Sequence, residues 1–422
     1  MQLNFVLSGI NHTRFTTNEI RKDDETLQKL KSVIRSLDGR NGHKYSFLFN
    51  GWTEAAMGAR LFEQYNDDLF ELHSDSGGLQ IVTRGMSITP ELKEEVYRTQ
   101  ARLSDIAMSF DEIPVKLLSD RSTRNDVNNR VFDPDRFRDA AVQSGKNLRR
   151  QLEVFEEEGS SCKPLVICHG NDFETYQTWL NLVLEQVPSS WHERIGGISL
   201  GAAALGTGTL QDVDRFMIYS NLDTPKCLQN QLHILGVGAV KRMLPFLYLH
   251  HNPHMVRDDL EVSYDSTTHT SGLSMAFYHK NGGLVHIGQT FNEKFYRVFN
   301  SIKSMGLWDD ELTEQDVYDA VVIPQNWEAK YGKHGETYRR FRAISSFLFG
   351  SCLEFTGEID ACVRDASVLD SYLDKKTQPL RLLKDISDWK EYCEWRDMYG
   401  RKLKSSAVKR DGDATNLEDF FA

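Results

Sequence analysis

At 422 residues the chain exceeds the size at which a single hydrophobic core usually stops growing, so one large barrel with an appended region is expected. Apolar residues make up 40% and charged residues 26%, and no apolar run approaches the ~20 residues of a membrane span, which argues for a soluble protein with no membrane partner. The formal charge of −11 excludes a protein that coats nucleic acid indiscriminately, because phosphate contacts need clustered Lys and Arg; it leaves room for a local basic surface.

The N-terminus, MQLNFVLSGINHTRF, has no basic region before its short apolar stretch and does not read as a signal peptide. Short β-rich runs then recur along the chain: LNFVLS (3–8), YSFLFN (45–50), FELHS (70–74), IAMSF (106–110), PLVICHG (164–170), IGGISLG (195–201), LHILGVG (232–238) and EVSYD (261–265). Between them lie segments with apolar residues at helical spacing, among them 89–103 and 134–158. Strand and helix alternating eight times predict an α/β fold, a (β/α)8 TIM-type barrel, with a doubly wound open sheet as the alternative. Residues 275–291 read as a β-hairpin turning at Asn281-Gly282-Gly283. From about residue 300 the pattern is aromatic-rich and mostly helical, ending in an acidic tail. The expected division is a barrel over 1–300 and a helical C-terminal region over 301–422.

Cys162, Cys168, Cys227, Cys352, Cys362 and Cys393 are irregularly spaced, as expected of reduced thiols inside a cell, and a cytoplasmic location is expected. No close thiol pair offers a zinc site of the usual spacing, so no metal or other cofactor is expected. The triplet His250, His251 and His254 reads as loop decoration. Residues 121–150 hold eight basic side chains against four acids, and a second basic cluster covers Arg401, Lys402, Lys404, Lys409 and Arg410.

Active sites of such barrels sit at the C-terminal ends of the strands, so the polar residues that end strands are the candidates. Three acids qualify: Asp75, followed by Ser76 and Gly77-Gly78; Asp111, with Glu112, before Pro114; and Asp265 leaving the eighth strand. Each alone is consistent with an ordinary turn or cap.

The flanking residues resemble the tRNA-guanine transglycosylase superfamily in chain order over roughly residues 45–300. HSDSGGLQIV is similar to its Asp-Ser-Gly-Gly strand end, LSDIAMSFDEIP to its base-recognition strand, and LVICHGN to its Val-Gln-Gly-Gly segment. ISLGAAALGTG, LHILGVGAVKRML and SYDSTTHT resemble the next three segments, the last being the nucleophile strand. The resemblance implies Asp265 as nucleophile, Asp75 as general acid/base and orienting group, and Asp111 with Ser76 on the guanine base. His169, which replaces a Gln of the family, would also face the base or would be a satisfied rim histidine. Gly201, Ala202 and Ala203 stand where family backbone N–H groups face the base carbonyl. A carboxylate suits this chemistry, because breaking an N-glycosidic bond builds oxocarbenium-like charge that it can stabilise and attack.

Two departures bear on the polymer. After Asp265 the family's Pro-Thr-Arg segment is replaced by Ser266-Thr267-Thr268-His269-Thr270-Ser271, and its Cys-x-Cys-x-x-Cys zinc cluster is missing. The chain therefore most resembles the DNA-guanine transglycosylase branch of phages and bacteria. That implies DNA as partner and a 7-deazaguanine such as preQ0 as incoming base, with Arg121, Arg124 and Arg130 gripping phosphates beyond Asp111. A phage protein of this kind would act in the bacterial host cell, and a homodimer is compatible with it. Alternatives are a divergent tRNA exchanger, a nucleosidase, a non-catalytic partner subunit and a metal-dependent barrel hydrolase.

Overall fold

The computed structural model describes residues 2–8, 45–65, 70–78, 88–117, 130–170, 172–201, 209–237, 240–251, 259–266, 300, 303–304, 313–321, 324–332, 357–374 and 377–407. Ten strands are described: β1 Gln2–Leu7, β2 Tyr45–Asn50, β3 Phe70–Asp75, β4 Ile106–Met108, β5 Val115–Leu117, β6 Arg130–Phe132, β7 Lys163–Cys168, β8 Gly197–Leu200, β9 Gln231–Ile234 and β10 Glu261–Ser266. Eight of them close into a barrel in the order β1-β10-β9-β8-β7-β4-β3-β2, every neighbour parallel. Because β1 pairs with both β2 and β10, the sheet has no free edge and the open doubly wound alternative is excluded. The eight barrel strands fall on the eight expected runs.

Helices follow the strands on the outside: α1 Ala55–Tyr65, α2 Pro90–Leu103, α3 Pro134–Glu157, α4 Phe173–Leu184, α5 Thr209–Asn221 and α6 Val240–His250. Their starts are legible locally. Thr89 caps α2 by accepting from the Leu92 N–H with Pro at the first turn, Asp133 caps α3 the same way, and Asp172 with Thr175 forms a capping box on α4.

The strand pleat sorts side chains between the helix layer and the barrel interior. Outward residues Phe47, Phe49, Leu72, Val166, Cys168, Ile198, Leu200, Leu232, Val262 and Tyr264 pack with the helices in one buried core. The interior is divided. Ile106, Met108, Leu165 and Ile167 form an apolar cluster on the β4 and β7 side. On the other side Ser46, His73, Ser199 and His233 are buried polar residues at the alternate strand positions, joined by Asn4, Glu71 and Ser263.

A two-stranded antiparallel sheet, β5 with β6, was not among the expected strands. It is inserted between β4 and α3, and Arg130 is the first residue of its second strand. Three residues per strand is too short a run to register as alternation.

Beyond the barrel come α7 Glu314–Val321, α8 Pro324–Tyr331, α9 Ala366–Ser371, a 3₁₀ segment Gln378–Asp385 and α10 Trp389–Ala407. They pack on the barrel helices: the Tyr392 hydroxyl donates to Asp214 of α5, and the Tyr248 hydroxyl of α6 donates to Asp370 of α9 (2.7 Å). Trp327, Leu369, Leu380, Trp395 and Tyr399 belong to the same buried core as the outer face of the barrel strands. The expected hairpin over 275–291 lies outside the described residues. No helix among the described residues is long and apolar enough to cross a membrane.

Candidate active site

The strand ends at the C-terminal mouth bring the three expected acids into one electrostatic unit. Asp75, the last residue of β3, is half-buried, and its carboxyl is pushed up from the ordinary 3.8 to about 7. Burial is the largest cause, followed by the charges of Asp111 and Asp265; N–H groups of Gly77 and Ser76 pull the other way without prevailing. Gly77 has φ +83°, and a side chain there would meet the Asn50 amide oxygen at 2.9 Å, so glycine is required to fold the turn back over the strand ends. Ser76 is buried, its Oγ accepting from the Gly78 N–H (3.4 Å). A Cβ on Gly78 would stand 3.0 Å from Asp111 Oδ1, so this turn closely approaches the second acid.

Asp111 lies three residues past β4 in a segment braced from behind by buried polar side chains. Gln100 of α2 donates to the Met108 carbonyl (3.0 Å), and Gln151 of α3 donates to Gln100 (2.8 Å). Asn147 donates to the Phe110 carbonyl (3.1 Å), and Ser144 accepts from the Glu112 N–H (2.8 Å). Glu112 itself turns away to Lys93 (3.1 Å), which removes it from the site. These bonds hold the Asp111 backbone from α2 and α3 together, with Gln151 Oε1 the one buried atom of the brace that has no partner.

Strands β4 and β7 are neighbours, and this sets His169, the first residue after β7, beside Asp111: His169 Nε2 is 2.7 Å from Asp111 Oδ2. The imidazole stands edge-on to Trp179 (4.9 Å, 81°), and its Nδ1 is buried with no hydrogen-bond partner. A Cβ on Gly201 would fall 2.7 Å from that Nδ1, so glycine at 201 makes room for His169. The Gly201 N–H already donates to the Cys168 carbonyl (3.1 Å). Of the three backbone donors expected there, those of Ala202 and Ala203 lie outside the described residues.

Asp265, in β10, is 8% exposed. Its Oδ1 accepts from the Gly236 N–H (3.1 Å) and faces His233 Nε2 (3.3 Å). Neither His233 nor Asn50 was singled out from the sequence, yet both join the site. Asn50 ends β2 in register with Asp75, accepts from the N–H groups of Trp52 and Thr53, and keeps a buried amide nitrogen with no partner. The signal for both was a polar residue inside or closing an apolar run, in LHIL and FLFNG.

The basic stretch 121–150 divides. Arg121 and Arg124 lie outside the described residues, as do 408–422 of the second cluster. Arg149 and Arg150 are engaged by acids, Arg150 with Glu153 and Glu157 of its own helix and with Glu94 (2.6 Å), the pair that ties α3 to α2. His250 closes α6 rather than standing in a loop, and His251 Nε2 meets the Cys362 carbonyl (3.0 Å). Among the described residues no group of three or more His, Cys, Asp or Glu side chains converges as a metal site, and Cys162, Cys168, Cys227, Cys362 and Cys393 are free thiols.

Chemically, the mouth offers one carboxyl that holds a proton near neutral pH, one oriented by the Gly236 N–H and a facing imidazole, and a third paired with a histidine beside a glycine turn. That set can protonate a leaving group, attack an electrophilic carbon and read the edge of a planar ligand.

No family model matches the chain, and no curated protein matches it. Among solved structures it is similar to a protein of Anabaena variabilis described as a candidate sugar phosphate isomerase/epimerase, at 11% identity, over 72% of this chain and 100% of that one, with a TM-score of 0.33. A likeness of that degree says nothing of this chain's chemistry; the barrel stands on its own strand pairing.

Proposed function

We propose that the protein is an enzyme, a DNA-guanine transglycosylase that exchanges guanine in DNA for a 7-deazaguanine such as preQ0. The observation that carries this reading is that the charges of Asp111 and Asp265, both buried at other strand ends, reach the Asp75 carboxyl and raise it. Two neighbouring carboxyls in different protonation states are what a two-step displacement at a sugar needs.

In this reading Asp265 attacks the anomeric carbon as the bond to guanine breaks, and Asp75 gives its proton to the departing base. The covalent glycosyl-Asp265 ester holds the polymer. The incoming base then loses its ring N–H proton to Asp75 and its nitrogen displaces Asp265, so atoms and charges balance without water and configuration is retained. Asp111, held by His169, accepts from the N–H donors of the base edge. A paired base must first be extruded, at a cost of about a few kcal/mol, or the strand must be single.

The test is labelled-guanine exchange on duplex DNA, single-stranded DNA and a tRNA transcript. Exchange on DNA is expected, with loss in Asp265→Asn despite normal folding. A denaturation-resistant adduct formed with a slow incoming base should map to Asp265. Exchange on tRNA alone would overturn the DNA assignment, and near-normal exchange by the Asn variant would remove Asp265 from the mechanism.

A further inference from the structure

The interior of a β/α barrel is ordinarily filled by branched apolar side chains. Here one register row across four strands reads Asn4, Ser263, His233 and Ser199, all polar. Ser263 lies two residues before Asp265 on the same face of β10, so this row forms the layer directly beneath the proposed nucleophile. Buried polar groups are costly unless they engage partners, and His233 engages two. Its Nδ1 lies 2.8 Å from Ser263 Oγ and its Nε2 lies 3.3 Å from Asp265 Oδ1. The Gly236 N–H reaches the same Oδ1 at 3.1 Å.

We propose that His233 is a positioning residue for Asp265: together with the Gly236 N–H it occupies Oδ1 and so presents Oδ2 to the anomeric carbon. Ser263 sets the tautomer. Its hydroxyl donates to Nδ1, which leaves the proton on Nε2, where it is donated to the carboxylate. Burial holds the His233 imidazole below its ordinary value, although Asp265 pulls the other way; His73, with ring centroid 6.0 Å away and itself bound to Glu71 (2.8 Å), adds to the lowering. A neutral imidazole orients Asp265 without forming an ion pair that would blunt its attack. The inference rests on the reading of Asp265 as nucleophile.

Three variants and one spectroscopic measurement test it. His233→Leu should lower kcat for exchange about 10- to 100-fold, the scale of a misplaced reacting group, while KM for DNA stays within about twofold. His233→Gln, whose amide N–H can reach the carboxylate, should recover most of that loss, and Ser263→Ala should lose several-fold. Equal loss in the Leu and Gln variants, or no loss in either, would overturn the proposal. Imidazole nitrogen NMR of the folded protein without substrate reads the geometry independently of activity. The expected state is neutral His233 with the proton on Nε2, a state that Ser263→Ala disturbs. A charged imidazole at neutral pH, or a proton on Nδ1, would overturn the proposal even if exchange occurs. The expected tautomer in a protein that exchanges no base on any polymer would instead fault the transglycosylase reading.

Discussion

Asp75 illustrates how a single residue links stability to chemistry. Its folded-state value of about 7 stands above the ordinary 3.8, so between those limits the folded protein binds more protons than the unfolded chain. Stability therefore falls as pH rises through this window, and the penalty is complete above about pH 7. Asp75→Asn removes the penalty. It should stabilise the fold by roughly 1–3 kcal/mol at pH 8 and by less at pH 5.5, measured by urea denaturation at both values, while abolishing exchange because an amide cannot shuttle the proton. An equal gain at both pH values would show that Asp75 is not the titrating group. The same residue-scale logic explains Gly201, where even one methyl group would collide with His169 and disturb its hold on Asp111.

At the scale of elements, the β5-β6 insertion is what distinguishes the mouth from a plain barrel. It leaves the barrel just after Asp111 and returns at Arg130, and the Asp133 N–H donates to the Pro114 carbonyl (2.9 Å) to close its base. Residues 118–129, which carry Arg121 and Arg124, connect its two strands. If these arginines hold DNA phosphates, Ala at 121, 124 or 130 should weaken DNA binding on any sequence and flatten the salt dependence by about one unit of log–log slope each. Catalysis at saturating DNA should change less. Binding titrations across a range of salt concentrations check this; unchanged slopes would send the phosphate contacts elsewhere.

For the whole molecule, the C-terminal helices and the barrel share one core rather than meeting across a polar seam. Trp395 is 5% exposed, stacks on Tyr399 (5.1 Å, 9°) and donates from Nε1 to the Pro379 carbonyl (3.1 Å). Trp395→Ala should cost about 3–5 kcal/mol and lower the whole molecule's unfolding midpoint in one transition. A separate early transition that leaves the barrel step in place would show that the two parts unfold independently.

The eight barrel strands were legible in the sequence because parallel strands covered by helices are short apolar runs bounded by turns, and the starts of α2, α3 and α4 were legible from local caps. The candidate acids were legible as polar residues closing those runs. Their proximity was not, since Asp75 and Asp111 meet only through the pairing of β3 with β4, and Asp265 joins them only when β1 closes on β10. The insertion escaped notice because its strands are three residues each. The polar half of the barrel interior escaped for a different reason: in FELHSD or LHIL the inward face is defined only by register with neighbouring strands. A histidine in such a run is indistinguishable in sequence from one facing solvent, and only the tertiary structure sets His233 beneath Asp265 and His169 against Asp111, because each partner comes from another strand, 32 and 58 residues away.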